Sequence, residues 1–115
     1  MVYEGEYLYG KYNGYGKECY KDGQILYEGE WLNGEANGRG KEYNRNGDFI
    51  FEGEYKKNKR YFGIKKEYYD NGNILFEGES IKGKRNGKGK EYYYNGKIVF
   101  EGEYKKGEKN GCIIY

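Results

Sequence analysis

The sequence predicts an all-β protein: a single elongated, twisted antiparallel β-meander of about ten strands, a solenoid-like array of stacked hairpins. Three observations predict it. The stretch Tyr3-Glu4-Gly5-Glu6-Tyr7 recurs as Tyr27-Glu28-Gly29-Glu30-Trp31, Phe51-Glu52-Gly53-Glu54-Tyr55, Phe76-Glu77-Gly78-Glu79-Ser80 and Phe100-Glu101-Gly102-Glu103-Tyr104, with central glycines 24, 24, 25 and 24 residues apart. A fixed period in that range marks a repeat architecture. Asp22-Gly23, Asn46-Gly47, Asn71-Gly72 and Asn95-Gly96 each stand between strand-like runs, where such pairs favour tight hairpin turns. Finally, glycine falls inside nearly every segment and Tyr, Phe and Ile dominate the rest, a composition that suits strands and disfavours helices.

The chain is one array over residues 1–115, with repeats starting near 3, 27, 51, 76 and 100. Repeat two shows the parts: a strand from Tyr27 to Leu32, a loop Asn33-Gly34-Glu35-Ala36, a strand from Asn37 to Asn44, and the turn Arg45-Asn46-Gly47-Asp48. A two-residue turn at Asn95-Gly96 pairs Tyr94 with Lys97, Tyr93 with Ile98, Glu91 with Phe100, Gly89 with Gly102 and Gly87 with Tyr104. A four-residue loop at Asn33 to Ala36 pairs Trp31 with Gly38. Three rows then share one face. The first alternates rings with glycines: Tyr7, Gly14, Trp31, Gly38, Tyr55, Gly63, then Ser80, Gly87, Tyr104, Gly111. The second is mostly glycine, with Lys65 and Ile113 as exceptions. The third reads Tyr3, Glu18, Tyr27, Glu42, Phe51, Glu67, Phe76, Glu91, Phe100. The opposite face carries a Glu/Lys ladder from Glu4 and Lys17 to Lys90 and Glu101. Rings lying across glycine backbone build a thin core, which explains how few aliphatic residues suffice. Cross-strand Lys/Glu pairs each contribute roughly 0.2–1 kcal/mol.

These residues resemble the MORN repeat family. Its motif, roughly Tyr-x-Gly-x-Trp-x-x-Gly-x-x-x-Gly-x-Gly, is matched by the run from Tyr27 to Gly40, and the resemblance covers four repeats and a partial fifth. The spacing from Gly96 to Gly102 is similar to the second MORN subtype. The resemblance implies stacked hairpins in scaffolds, membrane-associated proteins and accessory regions of enzymes, without a catalytic motif. It also admits a bacterial antitoxin or immunity-type protein. Three departures stand out: an extra residue near Tyr61-Phe62 together with Lys65, Ser80 in an aromatic position, and the ending Cys112-Ile113-Ile114-Tyr115.

Composition narrows the chemistry. The chain has no His, and Ser80 is its only serine, so a Ser/His/Asp set and a His-based metal cluster are excluded. No catalytic, cofactor-binding or metal-ligating residue is expected, and no cofactor. Glu18, Glu42, Glu67 and Glu91 stand two strands apart, about 9–10 Å, too wide for paired acid/base work at neighbouring members. Their expected role is to accept hydrogen bonds from nearby tyrosine hydroxyls. Cys19 and Cys112 are eight strands apart, roughly 38 Å in an open sheet, so both are expected free, which suits a cytoplasmic protein. No apolar run approaches a membrane span, and Met1-Val2-Tyr3-Glu4 does not open like a signal peptide.

Charge is more informative than its total of +2. The longer connections carry Lys11, Lys56, Lys57, Lys59, Arg60, Lys82, Lys84, Arg85, Lys105, Lys106 and Lys109 against Glu35 and Glu108, whereas the tight-turn quartets are neutral. This basic edge either attracts acidic lipid headgroups or an acidic protein, or keeps exposed turns soluble. The leading expectation is a non-enzymatic protein-interaction or scaffold module, with Tyr7, Trp31, Tyr55 and Tyr104 as the partner surface. A peripheral binder of acidic membrane lipids is the alternative. Nucleic acid is disfavoured, because the rings face the packing side. The uncharged strip from 110 to 115 suggests a homodimer through the last strand.

Overall fold

The computed structural model describes the backbone of residues 1–114 and the side chains of residues 1–110. Ten strands follow one another: β1 (Val2–Leu8), β2 (Lys11–Cys19), β3 (Ile25–Leu32), β4 (Glu35–Tyr43), β5 (Phe49–Lys56), β6 (Lys59–Tyr68), β7 (Ile74–Ile81), β8 (Lys84–Tyr92), β9 (Ile98–Lys105) and β10 (Glu108–Ile114). They form one open antiparallel meander in sequence order. The chain divides into two compact units, residues 1–61 and 62–115.

The two kinds of connection exchange the roles that the sequence predicts for them. The longer connections are the two-residue turns. Tyr9-Gly10, Asn33-Gly34, Lys57-Asn58, Lys82-Gly83 and Lys106-Gly107 all take positive φ at both residues, 52° and 84° at Asn33-Gly34, the geometry of a type I′ turn. The Asn-Gly sites form three-residue loops instead. Asn44 N–H donates to the Asp48 carbonyl (2.8 Å) and Gly47 N–H to the Asn44 carbonyl (3.0 Å), and only the glycine has positive φ. This is a turn closed by a glycine bulge. The preceding Asn or Asp earns its place through its side chain: Asp22, Asn71 and Asn95 each accept the N–H two residues on, at 2.9–3.0 Å.

The extra loop residue is offset by an extra strand residue. Tyr92 pairs with Ile98 and Glu91 with Phe100, which leaves Val99 as a bulge. Leu26, Ile50 and Leu75 occupy the same position in the other hairpins. The two insertions cancel, so the expected pairing from Glu91 and Phe100 to Gly87 and Tyr104 holds, while Tyr94 with Lys97 and Tyr93 with Ile98 does not.

A second irregularity replaces the expected pairing of rings with glycines across the longer connections. Trp31 pairs with Ala36, not Gly38, and Gly29 with Gly40. One residue, Glu30, thus opposes three, Asn37, Gly38 and Arg39. The same holds at Glu6 and Glu79. In β10, Cys112 faces Gly102 and Ile113 faces Glu101, so Ile113 is not in a glycine position.

The core of the first unit is Tyr27, Trp31, Ala36, Phe51 and Tyr55, with Tyr3 and Tyr12 packed against it. The second unit buries Phe76, Phe100 and Tyr104 beside Leu75 and Val99. The buried rings meet edge to face, Tyr27 against Trp31 at 5.1 Å and 81° and Phe76 against Tyr104 at 5.2 Å and 88°, while Tyr3 and Tyr12 stack at 3.7 Å. Such pairs contribute about 0.5–1.5 kcal/mol beyond burial. Glycine makes this layer possible. A Cβ on Gly40 would fall 2.5 Å from the Tyr27 ring, and one on Gly89 would fall 2.8 Å from Phe76.

Candidate functional site

Three of the four row carboxylates, Glu42, Glu67 and Glu91, meet hydrogen-bond or ion-pair partners, whereas Glu18 meets none among the described residues. The Tyr55 hydroxyl donates to Glu42 at 2.7 Å and the Tyr104 hydroxyl to Glu91 at 2.9 Å, as expected for these glutamates. The cations are the addition. Arg60 grips both oxygens of Glu42 (3.1 and 2.9 Å) and lies over the Phe51 ring at 5.0 Å. Arg85 bridges Glu67 and Glu91, each at 3.3 Å, and stacks on Phe76 at 4.0 Å. Lys109 approaches Glu91 at 3.6 Å above Phe100. Lys65, in its exceptional position, reaches Glu67 at 3.1 Å and covers Phe76 at 6.0 Å. Burial alone would raise the Glu67 carboxyl, but Lys65 and Arg85 outweigh it and hold the group below its usual range.

The basic edge therefore splits in two. Arg60 and Arg85 turn inward onto the aromatic face, and Lys109, though exposed, lies over the Phe100 ring. Lys57, Lys59, Lys82, Lys84, Lys105 and Lys106 are exposed, with no ion-pair partner among the described residues. Lys56 is exposed and lies over the Tyr61 ring at 4.1 Å. The turns beneath the lysines are tied down. Asn58 N–H donates to the Ala36 carbonyl at 2.9 Å, and Gly107 N–H to the Arg85 carbonyl at 2.8 Å. The Lys57 and Lys106 side chains are thus exposed on turns whose backbone is hydrogen-bonded to the neighbouring hairpin.

Among the four expected contact rings, Trp31, Tyr55 and Tyr104 are 7, 4 and 3% exposed, whereas Tyr7 is 58% exposed. The first three serve mainly as core, so replacing any of them by alanine removes packing as well as surface. Beside Trp31 and Tyr55 lies an open groove of about 330 Å³ in the first unit. Tyr12, Leu26, Tyr27, Trp31, Ala36 and Tyr55 line it, with Glu18 and Glu42 contributing carboxylates and Gly34 and Asn58 its rim. The Trp31 indole N–H is satisfied by the Gly16 carbonyl at 3.1 Å. Sequence reasoning misses Leu26, whose bulge the cancelling insertions hide, and Ala36, which the pattern places in a loop.

On the opposite face the Lys/Glu ladder is in register, Lys41 between Glu28 and Glu52. Lys90 and Glu101 close to 3.8 Å. Other members choose rings and hydroxyls: Tyr43 donates to Glu28 and Tyr92 to Glu77, both at 2.7 Å, and Lys41 lies over Phe49 at 5.3 Å.

Among the described residues no group of three or more His, Cys, Asp or Glu is placed to hold a metal ion, and no helix is long and apolar enough to cross a membrane. Cys19 is free and half-buried. The dimer strip falls on side chains at 111–115, Cys112 included, which lie outside the described residues. No curated protein matches the chain. The MORN repeat model matches residues 3–25, 27–49, 76–98 and 100–112, passing over the exceptional third repeat, and the chain belongs to the MORN repeat family.

Proposed function

We propose that this chain is a non-enzymatic protein-interaction module whose partner sits on the aromatic groove of the first unit. The observation that carries the reading is the groove itself, an open cleft of about 330 Å³ bounded by four rings and two carboxylates. That volume is at the small end for a ligand site and suits protein side chains better than a bulky cofactor. MORN repeats are found in protein-interaction and membrane-associated scaffolds, and the family is generally non-enzymatic. The ring-lined walls are preorganised by edge-to-face packing, which lowers the ordering cost of association.

Affinity capture from source cells, read by mass spectrometry, tests this with two variants. Ala36→Arg fills the groove, and Lys57→Glu/Lys82→Glu/Lys106→Glu reverses the turn edge. A partner lost with the first and kept with the second supports the groove. A partner lost only with the charge reversal moves the site to the edge. A toxin among the captured proteins would identify the module as an immunity-type protein.

A second reading is favoured by the lysine turns. Exposed ammonium groups on fixed turns suit the acidic headgroups of a membrane surface. Sedimentation with phosphatidylserine vesicles tests it. Binding that weakens with salt and with the triple charge reversal supports it, and salt-independent binding contradicts it.

A further inference from the structure

Glu18, Glu42, Glu67 and Glu91 occupy equivalent positions, each paired across the sheet with a ring of the following strand. Three of them meet a cation supplied eighteen residues later in the chain. Arg60 serves Glu42, Arg85 serves Glu67, and Lys109 serves Glu91. Each of these cations also covers an aromatic ring. Eighteen residues after Glu18 stands Ala36. The hydroxyl donor is missing as well: Tyr55 and Tyr104 serve Glu42 and Glu91 from thirteen residues on, and Trp31 holds that place after Glu18. Its N–H is committed to Gly16. The half-buried Glu18 carboxylate has no hydrogen-bond or ion-pair partner among the described residues, and both Glu18 and Ala36 line the groove.

We infer that the groove is an unfilled copy of the chain's own cation site, and that its occupant is the guanidinium of an arginine side chain on a protein partner. This rests on the groove reading above and adds the chemistry of what enters. The charge complement is Glu18, and the walls are Trp31, Tyr12 and Tyr27. Arginine fits better than lysine. Two of the three internal cations are arginines, and Arg60 shows the fork spanning both carboxylate oxygens while its plane covers a ring. A planar guanidinium combines bidentate pairing with stacking in a way an ammonium cannot. The small side chain at position 36 leaves room beside the bulky Trp31, and the remaining space is open to solvent.

Trp31 is the only tryptophan, so its emission reports on the groove. The full chain is titrated with N-acetyl-arginine amide, with the citrulline and lysine amides as controls, in the parent, Glu18→Gln and Ala36→Arg, each checked for strand content by circular dichroism. The expected result is saturable quenching by the arginine amide, at least about tenfold weaker with Glu18→Gln because a charge-assisted pair is lost, and absent with Ala36→Arg. Quenching that does not saturate, that citrulline or lysine amide matches, or that survives Glu18→Gln unchanged overturns the assignment. If the arginine amide fails while Ala36→Arg still abolishes partner capture, the groove stands as an interaction site and only the guanidinium is wrong.

Discussion

The Glu30 carboxylate accepts the backbone N–H of Arg39 at 2.6 Å, across the bulge in which one residue of β3 opposes three of β4. Glu6 holds Tyr15 N–H and Glu79 holds Lys88 N–H in the same way, each at 2.7 Å. Gly38 lies at the centre of this bulge with φ of 99°, and a Cβ there would fall 2.8 Å from the Glu30 carboxylate. The second glutamate of the Glu-Gly-Glu motif is thus a backbone acceptor at these three positions. Glu30→Ala removes the acceptor of an exposed Arg39 N–H, which water can then solvate, and is expected to cost about 0.5–1.5 kcal/mol. Glu30→Gln keeps an oxygen and is expected to cost less. Urea unfolding of the two variants checks the order.

Gly40 and Gly72 separate two reasons for glycine. Gly40 sits beneath the Tyr27 ring, so Gly40→Ala forces ring and backbone apart and is expected to cost roughly 1–3 kcal/mol. Nothing lies within 4 Å of a Cβ on Gly72, but its φ is 89°, so Gly72→Ala is expected to cost about 1 kcal/mol through backbone strain. Thermal unfolding should rank Gly40→Ala as the more damaging. The reverse order would contradict the ring-over-glycine core.

Ser80 stands where the other repeats carry a ring. It is 1% exposed, and its hydroxyl has no hydrogen-bond partner among the described residues. Removing an unsatisfied buried hydroxyl relieves a desolvation penalty. Ser80→Ala is therefore expected to leave stability unchanged or to raise it by up to about 1 kcal/mol, against the loss usual for a core substitution. Denaturant midpoints at constant slope measure it.

Alkaline pH should destabilise the protein through its tyrosines. Burial, reinforced by hydrogen bonds to Glu28, Glu77 and Glu91 respectively, pushes the hydroxyls of Tyr43, Tyr92 and Tyr104 up to about 12 from the usual 10.0. Because the folded values are raised, their stabilisation is fully present below pH 10. It falls between about pH 10 and 12, where the unfolded chain holds fewer protons. Stability measured against pH should be flat on the neutral side and decline through that window. A protein equally stable at pH 9 and pH 12 would contradict these environments.

The sequence made the period, the glycine and carboxylate rows and the charged opposite face legible, because a repeat displays the same constraint several times. It hid the turn types. Asn-Gly is the commonest type I′ signal, yet here asparagine caps a three-residue loop, and the type I′ conformation goes to pairs such as Lys57-Asn58. The error stayed local, since Val99 and its counterparts restore the register beyond each loop. The bulge at Glu30 left no such trace: pairing arithmetic assumes one residue per strand position. The roles of Arg60 and Arg85 were also illegible, because loop position alone does not reveal that a long side chain folds back over a ring.

The groove beside Glu18 is proposed to be the chain's own cation site left unfilled. A double-mutant cycle between Ala36→Arg and Glu18→Gln tests it without any partner, with thermal and urea unfolding as the readout. The predicted result is that Ala36→Arg stabilises the protein with Glu18 present and loses that gain with Glu18→Gln, a coupling of about 1 kcal/mol or more. A fall in stability with Ala36→Arg that is equal in both backgrounds would contradict it.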